Sequence, residues 1–446
     1  MRSSWYVQQE KDILLLASSI AGLSANMLNR CLLEVCAGSV TSRGVPHQRR
    51  LSQVPVATEQ GAPSPKEKAM STSRMTIGLY LLTAPPLVWN RVLAYVARLS
   101  RLDVLWVSDH WQGQIPSAMW EQTFPWAASQ SESPHALFDS QVFLGALAAH
   151  AGRLRLGVGV TDPIRHHPVH LAQAMLTLAH LCKRPPILVI GAGERENIEP
   201  YGLDFSEPVG RLEEALQIIR LCFSHQGPLD FGGKYYRLEH AILDLRAPKG
   251  KTPEIWVGGQ GPRMLRLTGQ YADGWYPPVV ASVEEYAAKL TLIRNAAQQA
   301  GRDPQAITPA LFQYLVVAPS EREVQQMLDS KLGRLFALLV PSSEWRKLGA
   351  QHPFGEDFRG YVDWVPERYD RQTLQEALAS VPPELIGSGV LWGTPEQVVG
   401  KLRAFGEVGV RHVGLFPLLS LILSRQAAIY GLWVIRKIAR LLRNAR

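Results

Sequence analysis

From residue 76 onward the chain alternates between two hydrophobic rhythms. Short, continuous apolar runs are followed by stretches in which apolar residues recur three and four positions apart. The first kind reads as strands buried on both faces, the second as amphipathic helices. The spacing predicts eight strands, at 76–82, 104–108, 154–161, 187–190, 253–257, 274–277, 311–318 and 412–416. Helices are expected over Leu87–Leu102 (Val88, Val92, Tyr95, Val96 and Leu99 on one face), Ser140–Ala151, Pro168–Leu181, Val209–Ser224, Val283–Ala300 and Glu321–Leu335. Another begins at Thr394-Pro-Glu-Gln397, where Thr can cap, Pro suits the first turn and Gln can close a capping box. Gly227–Leu245 reads as a hairpin, and the segments 111–139 and 336–388 read as insertions. Strands alternating with helices make a parallel sheet of the α/β class. Eight such units with no early GxGxxG favour a (β/α)8 TIM-type barrel with insertions over an open doubly wound sheet.

The barrel is expected to occupy residues 75–417, with different sequence on either side. Residues 1–74 are expected to be a disordered or non-native leader. The stretch 38–74 is rich in Ser, Pro, Gln, Arg and Lys, and the apolar Ile13–Ala25 follows Glu10 and Asp12 and is too short to span a membrane. Residues 418–446 are expected to form a basic amphipathic helix. Arg425, Arg436, Arg440 and Arg443 share one face, and Leu423, Ala427, Tyr430, Val434, Ile438 and Leu441 share the other. Two placements follow from that pattern: peripheral contact with an anionic membrane, or a last helix with its apolar side on the barrel.

The net charge of +8 is concentrated in this tail, because no acidic residue follows Glu407. The body is near balance, which argues against nucleic-acid binding. The four cysteines form no CxxC pair, and no Cys/His set has zinc-ligand spacing. A reducing, cytoplasmic setting is expected, with the tail at the inner face of the cell membrane, and no metal.

Candidate chemistry gathers at the strand ends, where ligands of parallel α/β folds bind. The strand Val104–Val107 runs into Asp109 and His110, and a His held by an Asp can donate a proton or polarise a carbonyl. Three glycine-containing turns follow other strands: Gly157-Val-Gly-Val-Thr161, Gly191-Ala-Gly193 and Gly258-Gly-Gln-Gly-Pro262. Together they suggest a flat cofactor with a phosphate tail. Glu194 and Asn197 lie just beyond the second turn. His166 and His167, in Asp162-Pro-Ile-Arg-His-His-Pro168, read as structural residues of a loop at the mouth.

The Ser-Asp-His turn, the Gly-Val-Thr end of the third strand, Gly-x-Gly-Glu-x-x-Asn and Val-Gly-Gly-Gln-Gly-Pro together resemble the luciferase-like monooxygenase superfamily over roughly residues 75–417. They resemble in particular its branch that uses the deazaflavin coenzyme F420. Details around Gly157–Asn197 and the basic C-terminus are similar to the ketoreductases of mycobacterial dimycocerosate lipids. The resemblance implies reduced F420 as cofactor, with Asp109 and His110 bordering its ring and Gly159-Val160 as a bulge, often a non-proline cis peptide, backing it. It implies cofactor contacts from Thr161, Gly193, Glu194 and Asn197, and Gly258, Gly259, Gly261 and Pro262 near the phosphate-bearing tail. His110 would be the proton donor to a ketone, with Glu194 the second candidate.

The sugar-phosphate dehydrogenases of this branch carry an acid in the loop after the first strand. Here that loop is Leu82-Thr-Ala-Pro-Pro86, and with Trp111, Trp120 and Trp126 it fits a hydrophobic lipid ketone better. The resemblance implies a homodimer. The alternatives are an FMN-dependent monooxygenase of the same superfamily and a non-catalytic barrel that binds cofactor or lipid.

Overall fold

Eight apolar strands pair side by side, all parallel, and the last closes on the first. In a computed structural model that describes residues 74–120, 124–278 and 282–444, the strands are β1 (Thr76–Tyr80), β2 (Val104–Val107), β3 (Arg155–Thr161), β4 (Ile187–Ile190), a hairpin of β5 (Leu229–Gly232) and β6 (Arg237–Ala241), β7 (Glu254–Val257), β8 (Gly274–Trp275), β9 (Thr308–Val317), β10 (Leu391–Gly393) and β11 (His412–Phe416). The closed order is β1-β2-β3-β4-β7-β8-β9-β11 and back to β1. This is the expected (β/α)8 barrel, and the antiparallel β5–β6 pair is the expected hairpin. The three-residue β10, which extends the end of β9, was not expected. The expectations for the leader, including Ile13–Ala25, fall outside the described residues.

Local chemistry sets the helix boundaries. Thr394 and Gln397 form the reciprocal capping box and start the helix Pro395–Glu407. The helix expected over Glu321–Leu335 is two helices, Glu321–Leu328 and Lys331–Leu338, because the Ser330 hydroxyl accepts a hydrogen bond from the Gly333 N–H and restarts the turn. The second insertion holds a helix at Arg371–Ala379 and an aromatic stack, with Phe354 and Trp364 at 4.2 and 5.1 Å from Tyr369 by ring centroids.

The barrel interior is filled by large aromatic side chains facing glycines. Trp106, Trp256 and Tyr276 are fully buried, with 4.8 Å between the Trp106 and Tyr276 rings. A Cβ on Gly157 would lie 2.2 Å from the Trp106 ring, and one on Gly414 would lie 1.6 Å from Tyr276 Oη. The missing side chains are the space those rings occupy. At the N-terminal end of the barrel, buried His412 accepts a hydrogen bond from Trp106 Nε1 at 3.2 Å, and its Nδ1 lies 2.8 Å from Thr76 Oγ1. Burial first, then Arg155, push the pKa of His412 down to about 3, so the ring is neutral.

The C-terminal segment forms two helices, Leu418–Leu423 and Arg425–Arg443. The apolar side of the second is turned inward, with Ala428, Val434, Ile435, Ile438 and Ala439 buried. Its basic residues hold it in place. Lys437 Nζ lies 2.7 Å from Glu396 Oε1, and Arg443 donates to the Ser100 and Arg101 carbonyls. Of the two placements the sequence allowed, the barrel has taken the apolar face, so that face is not available to a bilayer. Among the described residues no helix is long and apolar enough to cross a membrane.

Candidate active site

The carboxyl ends of the strands divide into two halves. The ends of β3, β4 and β7 carry the glycine turns and most of the charged groups. The ends of β9, β11, β1 and β2 open on an apolar cleft. His110, at the end of β2, belongs to both.

Asp109 is the anchor of the first half. Its Oδ1 accepts from Ser140 Oγ at 2.8 Å, and its Oδ2 accepts from Thr161 Oγ1 at 2.6 Å and Arg165 Nη2 at 3.0 Å, with His166 Nε2 also at 3.0 Å. Arg165 reaches back to Asp162 at 2.6 Å, and all three charged side chains are almost fully buried. Burial works against the Asp109 carboxylate, but His166, Arg165 and Thr161 outweigh it and hold its pKa far below the usual carboxylate range. Asp109 and Thr161, expected at the cofactor, are buried and hydrogen-bonded to each other and to neighbouring side chains. His166 has the structural role expected of it, and His167 caps the helix Pro168–Leu181 by accepting from the Val169 N–H.

His110 is held through one ring nitrogen. Its Nδ1 lies 2.8 Å from Glu196 Oε1 and 4.0 Å from Glu194 Oε2. The Asn197 amide fixes this geometry. Its Oδ1 accepts from the Trp111 and Gln112 N–H groups at 2.7 and 3.3 Å, which turns Nδ2 toward Glu196 Oε1, to which it donates at 3.0 Å. Asn197, also expected to contact cofactor, therefore orients the His110–Glu196 pair from a buried position. Burial disfavours the charged imidazole, but Glu196 and then Glu194 outweigh it and raise the His110 pKa above its ordinary value. Nδ1–H donates to Glu196, which leaves Nε2 for a ligand. Glu194 keeps 35% of its side chain exposed. Burial, and beyond it the Glu196 carboxylate, push its carboxyl up to about 7 against the pull of His110 and Arg165.

Glu196 and Arg165 are the residues that sequence reasoning missed. Both stood in the quoted motifs, and the charge of each was the only signal. Ligand-type atoms of His110, Glu194 and Glu196 lie within 4.8 Å of one another, a set that could hold a cation. The 2.8 Å contact from His110 to Glu196 is a hydrogen-bond distance, shorter than two ligand atoms on one metal would normally stand.

The glycine turns have distinct roles. Gly159-Val160 is a cis peptide at the register shift between β3 and β4. Val160 lies between two glycines. A Cβ on Gly191 would come within 3.1 Å of it, and one on Gly258 within 3.0 Å. Gly193 has φ of +95°, a backbone conformation suited to glycine. Gly259 is filled from its own helix by Met264. Gly261 faces open space and precedes Pro262–Tyr271, whose first turn has no capping side chain. Those free N–H groups suit an anion such as a phosphate. Two buried atoms beside the His110 network, Arg165 Nη1 and Glu196 Oε2, have no hydrogen-bond partner among the described residues. The half-site therefore fits a flat, polar-edged cofactor with an anionic tail.

The second half is a cleft of about 1110 Å³, counting its open mouth. Its lining includes His110, Leu82, Pro86, Trp120, Trp126 and Tyr314, and among the described residues it contains no Asp, Glu, Lys or Arg. The apolar β1 loop and two of the three expected tryptophans are in its wall. Trp111 stands outside it, against Tyr201 and Arg165.

Residues 74–412 match the family model described as luciferase-like monooxygenase. The chain is 40% identical over 334 residues to the phthiodiolone/phenolphthiodiolone dimycocerosates ketoreductase of Mycobacterium bovis (strain BCG), covering 74% of this chain and 88% of that one. It is 28% identical over 327 residues to an F420-dependent glucose-6-phosphate dehydrogenase of Nakamurella multipartita, covering 72% and 84%. An F420-dependent secondary alcohol dehydrogenase, solved with an F420-acetone adduct, has the same fold at a TM-score of 0.64 and 19% identity, over 83% of this chain and 100% of that one.

Proposed function

Because the chain belongs to the luciferase-like monooxygenase family, we propose that it is an F420-dependent ketoreductase acting on a long-chain lipid. The proposed reaction reduces the keto group of phthiodiolone or glycosylated phenolphthiodiolone dimycocerosates to the phthiotriol forms in cell-wall lipid biosynthesis. The observation that carries this reading is the position of His110, an imidazole backed by Glu196 in the wall of a cleft with no charged side chain among its described lining residues.

Reduced F420, when bound, supplies a hydride. The chain's own residues supply placement and the proton. Gly261, Pro262 and the first turn behind them would hold the anionic tail, and the Gly159-Val160 bulge with Gly193 would back the ring. His110 Nε2–H would hydrogen-bond the ketone oxygen and give up its proton as alkoxide character develops. The Glu196 carboxylate favours the imidazolium beforehand and keeps Nδ1–H in place afterwards. Glu194, with a pKa near 7, is positioned as the second proton source. The apolar walls exclude water from the reacting carbonyl and bind the hydrocarbon of the substrate.

The test is a fluorescence titration of the protein with F420 and, separately, with FMN, followed by F420H2 oxidation with a long-chain ketone. Preferential binding of F420 and ketone-dependent oxidation are expected. Preference for FMN with consumption of dioxygen would replace this reading with the monooxygenase one.

A further inference from the structure

One wall of the apolar cleft is built by the two helices that follow the last barrel strand. Leu418, Leu421 and Ile422 of the helix Leu418–Leu423, and Ala428 of Arg425–Arg443, line the same cavity as His110. All four lie beyond the segment 74–412 that matches the family. They are fixed there by two separate contacts. The apolar face of Arg425–Arg443 is buried on the barrel, and Gly431 packs so closely on the preceding helix that a Cβ would come within 2.9 Å of Ser420. The Leu82–Pro86 loop, Trp89 of the helix Leu87–Leu99, and Trp120 and Trp126 of the first insertion line the same cleft.

We propose that this C-terminal helix pair forms one side of a hydrocarbon channel. One alkyl arm of the substrate ketone lies in it, and Leu421 and Ala428 set how much of the arm is accommodated. The assignment rests on the ketoreductase reading above. Two observations favour an alkyl chain as the occupant. The cleft is continuous with His110, so an arm attached to the reacting carbonyl reaches it without leaving the site. Among the described residues its wall offers no charged partner to a phosphate, sugar acid or peptide terminus. Ala428 is the smallest of the four residues, so a larger side chain there would take up part of the channel. The basic tail of the sequence thus serves the substrate site with its apolar side.

The experiment compares the full chain with Ala428→Phe, which fills the channel, and Leu421→Ala, which enlarges it. Displacement of Nile red by a fifteen-carbon methyl ketone, with butanone as the short reference, reads binding without cofactor. Turnover of both ketones with reduced F420 reads it in the holoenzyme. Each methylene denied burial weakens binding, so Ala428→Phe should lower the long-to-short preference by about tenfold or more. Leu421→Ala should move the optimum to longer chains. If both variants displace and turn over the long ketone like the parent protein, the channel assignment is overturned. If Ala428→Phe does not fold, the chain-length optimum of Leu421→Ala decides alone, and an unmoved optimum overturns it. If the parent protein reduces neither ketone, the ketoreductase reading fails, while the displacement series still decides the channel.

Discussion

His110 Nδ1 and Glu196 Oε1 stand 2.8 Å apart, joining a strand end to the turn after β4 across the candidate site. Asn197 holds the pair in one orientation. Because the carboxylates raise the His110 pKa, the proton-donating form persists above the ordinary histidine range. Reduction should be constant at low pH and fall as pH rises through that raised pKa. Glu196→Gln removes the main stabiliser of the imidazolium. The falling limb of the kcat/KM profile should move to lower pH, by about one unit or more, with F420 affinity retained. A limb that stays in place would show that His110 is not the group being titrated.

His110→Ala removes the donor itself. By comparison with loss of one oxyanion-stabilising donor, kcat should fall about 10²–10³-fold, or roughly 3–4 kcal/mol of barrier. Single-turnover reduction of a ketone by the loaded enzyme measures this directly. A loss of only a few-fold would transfer the role to Glu194.

The neutral, buried His412 couples stability to acid. Its folded pKa of about 3 lies below the ordinary value of 6.5, so the unfolded chain binds the proton more readily. The contribution is complete above pH about 6.5 and is lost as pH falls from there toward the folded value. Urea unfolding across this window should show stability declining with acid, and His412→Gln should flatten that part of the curve.

Glycines can be separated by what they face. Gly157→Ala pushes a methyl group to within 2.2 Å of the Trp106 ring and should destabilise by about 1–3 kcal/mol. Gly145, inside the helix Ser140–Ala151, has nothing within 4 Å of its would-be Cβ. Gly145→Ala should stabilise by about 1 kcal/mol through helix propensity. Thermal unfolding of the two variants measures both signs.

The strands were legible because each is a continuous apolar run, and the Thr394–Gln397 box was legible because its chemistry is local. Glu196 was not. Its segment, Arg195–Asn197, is a 3-10 turn, and which of its polar side chains meets His110 depends on where that turn begins. The role of Asp109 was hidden for a related reason, since its four partners come from three different segments of the chain. The amphipathic tail carried a correct pattern with two possible partners, and only tertiary packing decides between a barrel and a bilayer. Leu335 and its neighbours show the opposite case, in which a long periodic stretch is divided by one serine.

The aromatic filling of the barrel has a consequence for traffic. Trp106, Trp256, Tyr276 and His412 leave no route through the middle of the molecule, which makes the site a well with a sealed floor. On the proposed function, cofactor and lipid both have to arrive and depart on the side where the strands end. The sequence of arrivals is then a property of the architecture, and whichever ligand lies deeper must be the first in and the last out.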